Sequence, residues 1–364
     1  MAQLIGTAPN QVPTNGDLGS MAYQEANNYL SIAQSGMRNA IINGSLDVWQ
    51  RGTSWADGNN DTYTADRWHT QRYAANSYSI SRQGTGGQAA GMPNFDYCQR
   101  LQRVSGSTST NSYFMNQPIE RINCMHLIGQ TVTLSYYVRL GSTYTGDFTS
   151  SICYHDNSNY PNDGMYYNNF RNSGGTANSN KIVPFSTVWQ RVEHTWSIPS
   201  TAIQVGVAFF TNGTMSSTAG ANDYFEVTGV QLEVGTRATA FERRQYAAEL
   251  ALCQRYFQTT YPSGYALGST TSSISYSMET IAQATTSYLP VGWNMPVAMR
   301  TTPTATLFNP STGSSSASNN IWLTSGSSLP SAQANVSQNA VLFYVNNSSV
   351  SAASAIMAHF AVTA

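Results

Sequence analysis

An all-β fold is predicted for this chain: a jelly-roll-like β-sandwich, then a short helix and a small C-terminal β domain. Three observations predict it. Only 10% of the 364 residues are Asp, Glu, Lys or Arg, whereas 12% are aromatic; an ordinary soluble domain is about 25% charged. Short runs of alternating apolar and polar residues recur between Gly-, Asn- and Pro-containing turns, the mark of half-buried antiparallel strands. A long helical period occurs convincingly at one place.

The same composition excludes several classes. Many aromatics at low charge are the opposite of a disordered chain. A net charge of −1 with no basic stripe gives no attraction for nucleic-acid phosphates. The first ten residues lack a basic start and an apolar stretch, so no secretory signal is expected. No apolar run approaches the roughly 18 residues of a membrane span. The expectation is a chain made in the cytoplasm and not inserted in a membrane. Cys98, Cys124, Cys153 and Cys253 lie far apart without C-x-x-C spacing, which predicts free thiols acting as small core side chains.

Residues 1–37 carry no strand pattern. Segment 6–19 is rich in Gly, Pro and Asn, and 21–32 predicts one short helix. So short a piece buries too little to offset its ordering entropy. It either docks on another body, with Leu18, Met21, Tyr23 and Leu30 as its apolar anchors, or forms a loose leader. From 38 to 242 strands are predicted over 40–50, 67–73, 77–82, 97–104, 112–117, 130–140, 148–154, 190–198, 204–210 and 224–233. In 131–140, Val132, Leu134, Tyr136 and Val138 share one face and polar residues the other, which predicts one buried side. About ten such strands suggest two sheets of jelly-roll type. Residues 241–257 predict the long helix within a 243–260 segment. Tyr246, Leu250, Cys253 and Phe257 form a seam at spacings of four, three and four, suited either to a three-fold axis in a homotrimer or to packing on its own domain. The 261–364 region predicts further strands over 272–282, 283–291, 304–308, 320–324, 340–345 and 355–363. Alone, a domain of that size with few apolar residues is marginal, so contacts between copies are expected to complete it.

Two long segments resemble a known family. NAIINGSLDVWQRGTSWADGNNDTYTADRW at 39–68 looks like the opening of a lectin-like, carbohydrate-binding-module-like β-sandwich found in tailed-bacteriophage tail fibres and receptor-binding spikes. VTGVQLEVGTRATAFERR at 227–244, with YAAELALCQRY at 246–256, resembles that domain's exit and following helix. LPVGWNMPVAMRTTPTAT at 289–306 is similar to the small β domain after it, and QVPTNGDLGSMAYQ at 11–24 to short virion-attaching leaders. The long repetitive shaft of many fibres is missing, so the chain resembles a stubby spike. The resemblance implies attachment to tail, baseplate or capsid through 1–37, with Leu18, Met21, Tyr23 and Leu30 as virion anchor. It also implies adsorption to host surface polysaccharide by the sandwich and a C-terminal tip, and location in the virion.

Sugar contact favours aromatic rings, which cover the C–H-rich face of a pyranose, with amides and carboxylates for its hydroxyls. The loop HDNSNYPNDGMYYNNFR at 155–171 has that mixture, and Asp156, Tyr160, Asp163, Tyr166 and Tyr167 are the candidates there. Trp55, in a Gly- and Asp-rich connector, is the candidate among the tryptophans; Trp49, Trp68, Trp189 and Trp196 read as strand residues. The tip segments 309–319 and 346–351 are a second candidate surface. Related sandwiches often hold a structural calcium between first and last strands, and Asn43, Asp47 and Glu226 occupy the matching segments, three oxygen donors where calcium takes six to eight. No cofactor is otherwise expected. No nucleophile elbow, P-loop, zinc-protease or dinucleotide motif is present. Asp57, Asp61, Asp66, Asp156 and Asp163 show no spacing that identifies a glycosidase pair, and no solenoid repeat is visible. A non-enzymatic adhesin is therefore expected. The alternatives are a structural capsid fibre or tail adaptor without a receptor and, behind both, a polysaccharide-degrading tailspike.

Overall fold

In strand β7 (Thr131–Leu140) the four residues Val132, Leu134, Tyr136 and Val138 are fully buried, as their alternation predicts. The computed structural model describes residues 38–56, 62–72, 78–156, 176–212, 215–216, 218–270, 278–281, 288–309, 312–313, 315–316, 321–323, 328–329, 331–346 and 355–364. The proposed anchor residues Leu18, Met21, Tyr23 and Leu30, and the 21–32 helix, lie outside the described residues.

Twelve strands form two six-stranded antiparallel sheets. The first runs β1 (Ser54–Trp55), β4 (Tyr78–Gly84), β5 (Tyr97–Arg103), β12 (Tyr224–Val234), β7, β10 (Gln190–Ser197). The second runs β2 (Thr62–Tyr63), β3 (His69–Arg72), β6 (Tyr113–Pro118), β11 (Gln204–Asn212), β8 (Asp147–His155), β9 (Thr176–Ile182). Successive strands cross between sheets, β5 to β6 and β7 to β8, which is the jelly-roll manner. Inward residues of both sheets interdigitate: Leu134, Tyr136 and Phe225 from one meet Tyr113, Phe148 and Phe209 from the other. The Tyr113 and Phe225 rings stack at 5.3 Å. The sandwich is thus the all-β fold that the alternation predicts.

Three expectations need correction. Strand β7 is buried on both faces, because Thr133, Ser135 and Tyr137 on its polar side are covered as well. The chain returns over the first sheet at 85–96 and 235–245, where Phe95 packs on Phe241 at 5.0 Å and Trp189 Nε1 donates to Thr85 O at 3.0 Å.

Second, 40–50 is no strand. Asn43 and Leu46 have φ of 56° and 59°, left-handed values that asparagine tolerates better than most residues. The Asn43 side chain replaces a ladder partner, accepting from Val48 N at 3.0 Å and donating to Val48 O and Asp66 O at 2.9 and 3.0 Å. Trp68 Nε1 donates to Asn43 O and Trp49 Nε1 to Leu46 O. The two resemblance segments meet here: Val230 N donates to Gly44 O at 2.8 Å, and a Cβ on Gly44 would lie 2.1 Å from Val230 O.

Third, the helix spans only Tyr246–Gln254. Phe257 opens β13 (Phe257–Thr259), whose ladder with β22 (Ala355–Thr363) ends the helix. The predicted seam is therefore not one surface. Cys253 packs against Ile42, Val48 and Tyr256 of its own chain, Leu250 lies partly against that cluster, Phe257 is buried near Phe308, and Tyr246 is 49% exposed. Glu249 accepts from Asn43 N, and Arg244 binds both Glu249 oxygens at 3.2 Å.

Strand β22 centres the C-terminal sheet. It pairs with β13 and β16 (Thr304–Phe308) near its end, and with β14 (Met278–Ile281) and β18 (Ile321–Leu323) nearer its start. A separate three-stranded sheet runs β15 (Tyr288–Asn294), β21 (Ala340–Asn346), β20 (Ser331–Val336). Polar contacts join the sandwich to the C-terminal region: Gln50 Nε2 to Phe257 O at 3.0 Å, which is buried, Gly264 N to Trp49 O at 3.2 Å, and the part-buried Arg255 with Glu120 at 2.8 Å. All four cysteines are buried free thiols.

Candidate functional site

The two outer faces of the sandwich differ in kind. On the first sheet the outward side chains are already satisfied within the chain. Glu226 is held by Arg100, at 2.6 and 2.8 Å, and by Arg139, beneath the returning segments. On the second sheet no described strand or helix is layered over the outer face. Alternation from the core residues Tyr113, Met115, Val207, Phe209 and Ile152 turns the intervening residues outward.

These outward residues make a floor of mixed character. Phe114, Cys153, Ala208 and Phe210 form an apolar cluster, with the two rings 5.4 Å apart. Asn116, the register partner of Ala208 and His69, sits beside it. Asn116 is 1% exposed, yet neither its amide nitrogen nor its oxygen has a hydrogen-bond partner among the described residues. The Thr149 hydroxyl and Gln71 Oε1 are in the same condition. Buried polar atoms without partners cost about 1–3 kcal/mol each, so such a concentration calls for an explanation. At the far end His155 and Gln204 pair across the ladder, Nε2 to Oε1 at 3.2 Å. From this buried centre the face rises to an accessible lip at β9 and the ends of β8 and β11, where Asn178 is half-buried and Asn180, Asn212 and Asp147 are exposed.

Burial sets the electrostatics. It depresses His69 to about 3, with the nearby Arg51 charge adding, so the imidazole is neutral at ordinary pH. Burial pushes the Cys153 thiol up to about 12, with a contact to Ser151 opposing. The floor therefore presents amide, hydroxyl, neutral imidazole and aromatic groups, the kinds of group that hydrogen-bond to and pack against hydroxyl-rich molecules.

The sequence candidates are distributed as follows. Asp156 is exposed immediately beyond β8. Tyr160, Asp163, Tyr166 and Tyr167 lie outside the described residues, but the stems of their loop, His155 and Thr176, are register partners at the edge of the second sheet. Trp55 is half-buried on β1, 6.0 Å from the Trp49 ring, and leans on the core cluster. Trp49, Trp68 and Trp189 are buried, and Trp196 is half-buried against Tyr154 at 5.4 Å. Of the carboxylates, Asp57, Asp61 and Asp163 are outside the described residues. Asp66 is buried among Gln50 N at 2.7 Å, Gln50 Nε2 at 3.0 Å and Arg51 at 3.3 Å. The calcium expectation is not supported. Both Glu226 oxygens face guanidinium groups, Asn43 Oδ1 is committed to Val48 N, and Asp47 lies 3.7 Å from Arg243. No group of three or more His, Cys, Asp or Glu among the described residues is arranged to hold a metal.

Sequence reasoning missed Asn116, Phe114, Thr149 and Phe210. The available signal was the alternation itself, which in YFMNQP sets Phe114 and Asn116 on the face opposite Tyr113 and Met115.

No protein-family model matches the sequence, and no curated protein matches it. Solved structures similar in part include a tailspike enzymatic domain of bacteriophage CBA120, at 11% identity over 54% of this chain with a TM-score of 0.33. This chain spans 22% of that one. A family 61 carbohydrate-binding module in complex with β-1,4-galactotriose is 10% identical over 55% of this chain and all 100% of its own, with a TM-score of 0.32. The C-terminal family 22 carbohydrate-binding module of Clostridium thermocellum Xyn10B is 11% identical over 50% of this chain and 100% of its own, with a TM-score of 0.30.

Proposed function

We propose that this chain is a receptor-binding protein of the phage tail-fibre or spike type, which adsorbs to host surface glycan through the outer face of its second sheet. The observation that carries the glycan part is the amide-bearing lip of that face, Asn178, Asn180 and Asn212, rising from a floor that holds Asn116. Asn116 is buried beside the Phe114 and Phe210 rings with both amide atoms unpartnered among the described residues. Aromatic floor plus unused amide and hydroxyl groups is the chemistry that recognises a sugar. The phage part is supported by the resemblance of 39–68, 227–244 and 246–256. In this reading 1–37 attaches to a virion protein, three copies assemble, and the glycan is bound without being cleaved. Three-fold display raises avidity where each site is weak.

The test is a glycan array of bacterial surface polysaccharides, probed with the full chain and two variants. The doubly substituted Asn178→Ala, Asn180→Ala variant alters only the lip and should weaken binding about tenfold, the value of one or two lost hydrogen bonds. Asn116→Leu should abolish binding while leaving the fold intact. Undiminished binding by both variants would remove the face from consideration. No binding by the full chain to any polysaccharide would end the receptor reading.

A further inference from the structure

We infer that the junction between the sandwich and the C-terminal sheet binds a single-atom anion of the halide class, held by the Arg67 guanidinium.

The site is a cavity of about 20 Å³ to which three parts of the chain contribute. Arg51, Asp66 and Arg67 line it from the sandwich, Cys253 from the helix, and Phe257 and Thr363 from the paired ends of β13 and β22. Two guanidinium groups therefore meet one carboxylate. Asp66 is already committed: it accepts from Gln50 N at 2.7 Å and from Gln50 Nε2 at 3.0 Å, and it lies 3.3 Å from Arg51. Arg67 is the cation left over. It is 4% exposed, donates through Nη2 to Pro118 O at 2.7 Å and stacks on the Tyr256 ring at 3.6 Å. Its Nε is buried without a hydrogen-bond partner among the described residues. The carboxylates beside the helix have cations of their own, Glu249 with Arg244 at 3.2 Å and Glu120 with Arg255 at 2.8 Å.

A guanidinium keeps its charge in a protein. Buried in this way, it loses hydration that one carbonyl and one aromatic face replace only in part, and an idle N–H adds to the cost. An anion touching Nε supplies both the acceptor and the opposite charge; a neutral water supplies only the first. Volume decides the kind of anion. A water-sized particle needs about 10–15 Å³, so the cavity takes one chloride or bromide and is too small for phosphate or sulfate. Because sandwich, helix and C-terminal strands all line it, an ion bound here holds them together, and a ligand that binds only the folded chain stabilises it.

The experiment uses the full chain. Crystals grown in sodium bromide are measured at the bromine absorption edge, and the expected result is an anomalous peak in contact with Arg67 Nε. A map without that peak overturns the inference, as does density for a water or for one of the chain's own carboxylates in its place. In solution, sodium gluconate is exchanged for sodium chloride at constant ionic strength, which keeps screening fixed. The melting midpoint should rise saturably, by about 2 °C at about 100 mM chloride; equal midpoints in the two salts overturn the inference. Arg67→Gln keeps a donor for Pro118 O without the charge, and should lose both the bromide peak and the chloride response. A folded variant that retains either overturns the assignment to Arg67. If that variant does not fold, the bromide map of the unaltered chain still decides.

Discussion

At the scale of the residue, Asn116 separates a structural from a recognition role. A structural polar residue is satisfied and its loss destabilises; an unsatisfied one already costs free energy in the unliganded chain. Asn116→Leu is expected to leave the urea midpoint unchanged or raise it, and to eliminate glycan binding. A drop of more than about 1 kcal/mol in unfolding free energy would mark Asn116 as a structural residue. Histidines make a second residue-level prediction. Burial holds His69 at about 3 and His194 at about 4, the latter with Lys181 adding, so both stay neutral when folded. Unfolded imidazoles protonate near 6.5. Below that pH the unfolded chain binds more protons, so stability is lost as pH falls from about 6.5 toward 4. Urea titrations at pH 7 and pH 4.5 should show the fall, and His194→Gln should flatten it.

At the scale of the element, the Tyr246–Gln254 helix is a clamp between the opening turn of the sandwich and the C-terminal sheet. Its buried Glu249 faces the buried Asn43 backbone N–H and the part-buried Arg244. Removing one member of a buried pair costs about 3–5 kcal/mol, since the other is left uncompensated. Glu249→Ala should therefore lower stability by about that much, measured by denaturant unfolding, with Glu249→Gln less damaging because it keeps an acceptor for Asn43 N. A bulge in β12 between Thr228 and Gln231 is a second such element. Gly229 there has φ of +62°, and a Cβ would lie 2.6 Å from Phe95 Cζ. Gly229→Ala should loosen the segment that covers the first sheet, seen as faster amide exchange at 85–96.

At the scale of the whole molecule, sandwich, helix and C-terminal sheet share buried polar contacts, including Tyr256 Oη to Glu120 at 2.6 Å. These are expected to melt together in one calorimetric transition. Assembly is a separate matter. The helix buries Cys253 within its own chain, Leu250 is partly buried, and Tyr246 is exposed. Light scattering of the purified chain should give the mass of three copies. A mass of one copy at micromolar concentration would end the trimeric reading. Deletion of 1–37 should leave a folded sandwich that no longer enters virions.

Much of this was legible in the chain itself. Strands 97–104 and 190–198 follow from period-two alternation, a local property that places apolar atoms on one side whatever else surrounds them. The free, buried state of the cysteines follows from their spacing in the same way. What packs against a face is not local, and only the tertiary structure decided it. Val48 and Trp49 are apolar enough for a strand, but the Asn43 side chain, bonded to Val48 and to the Asp66 carbonyl, holds them in an irregular segment after the turn at 42–45. Both faces of β7 are buried because segments well over a hundred residues apart in the chain fold over one of them. Asn116 reads as an ordinary strand residue until its neighbours across the ladder are known. Alternation tells which side a residue takes; burial, partnership and the unused hydrogen bonds of the second sheet depend on distant chain brought alongside.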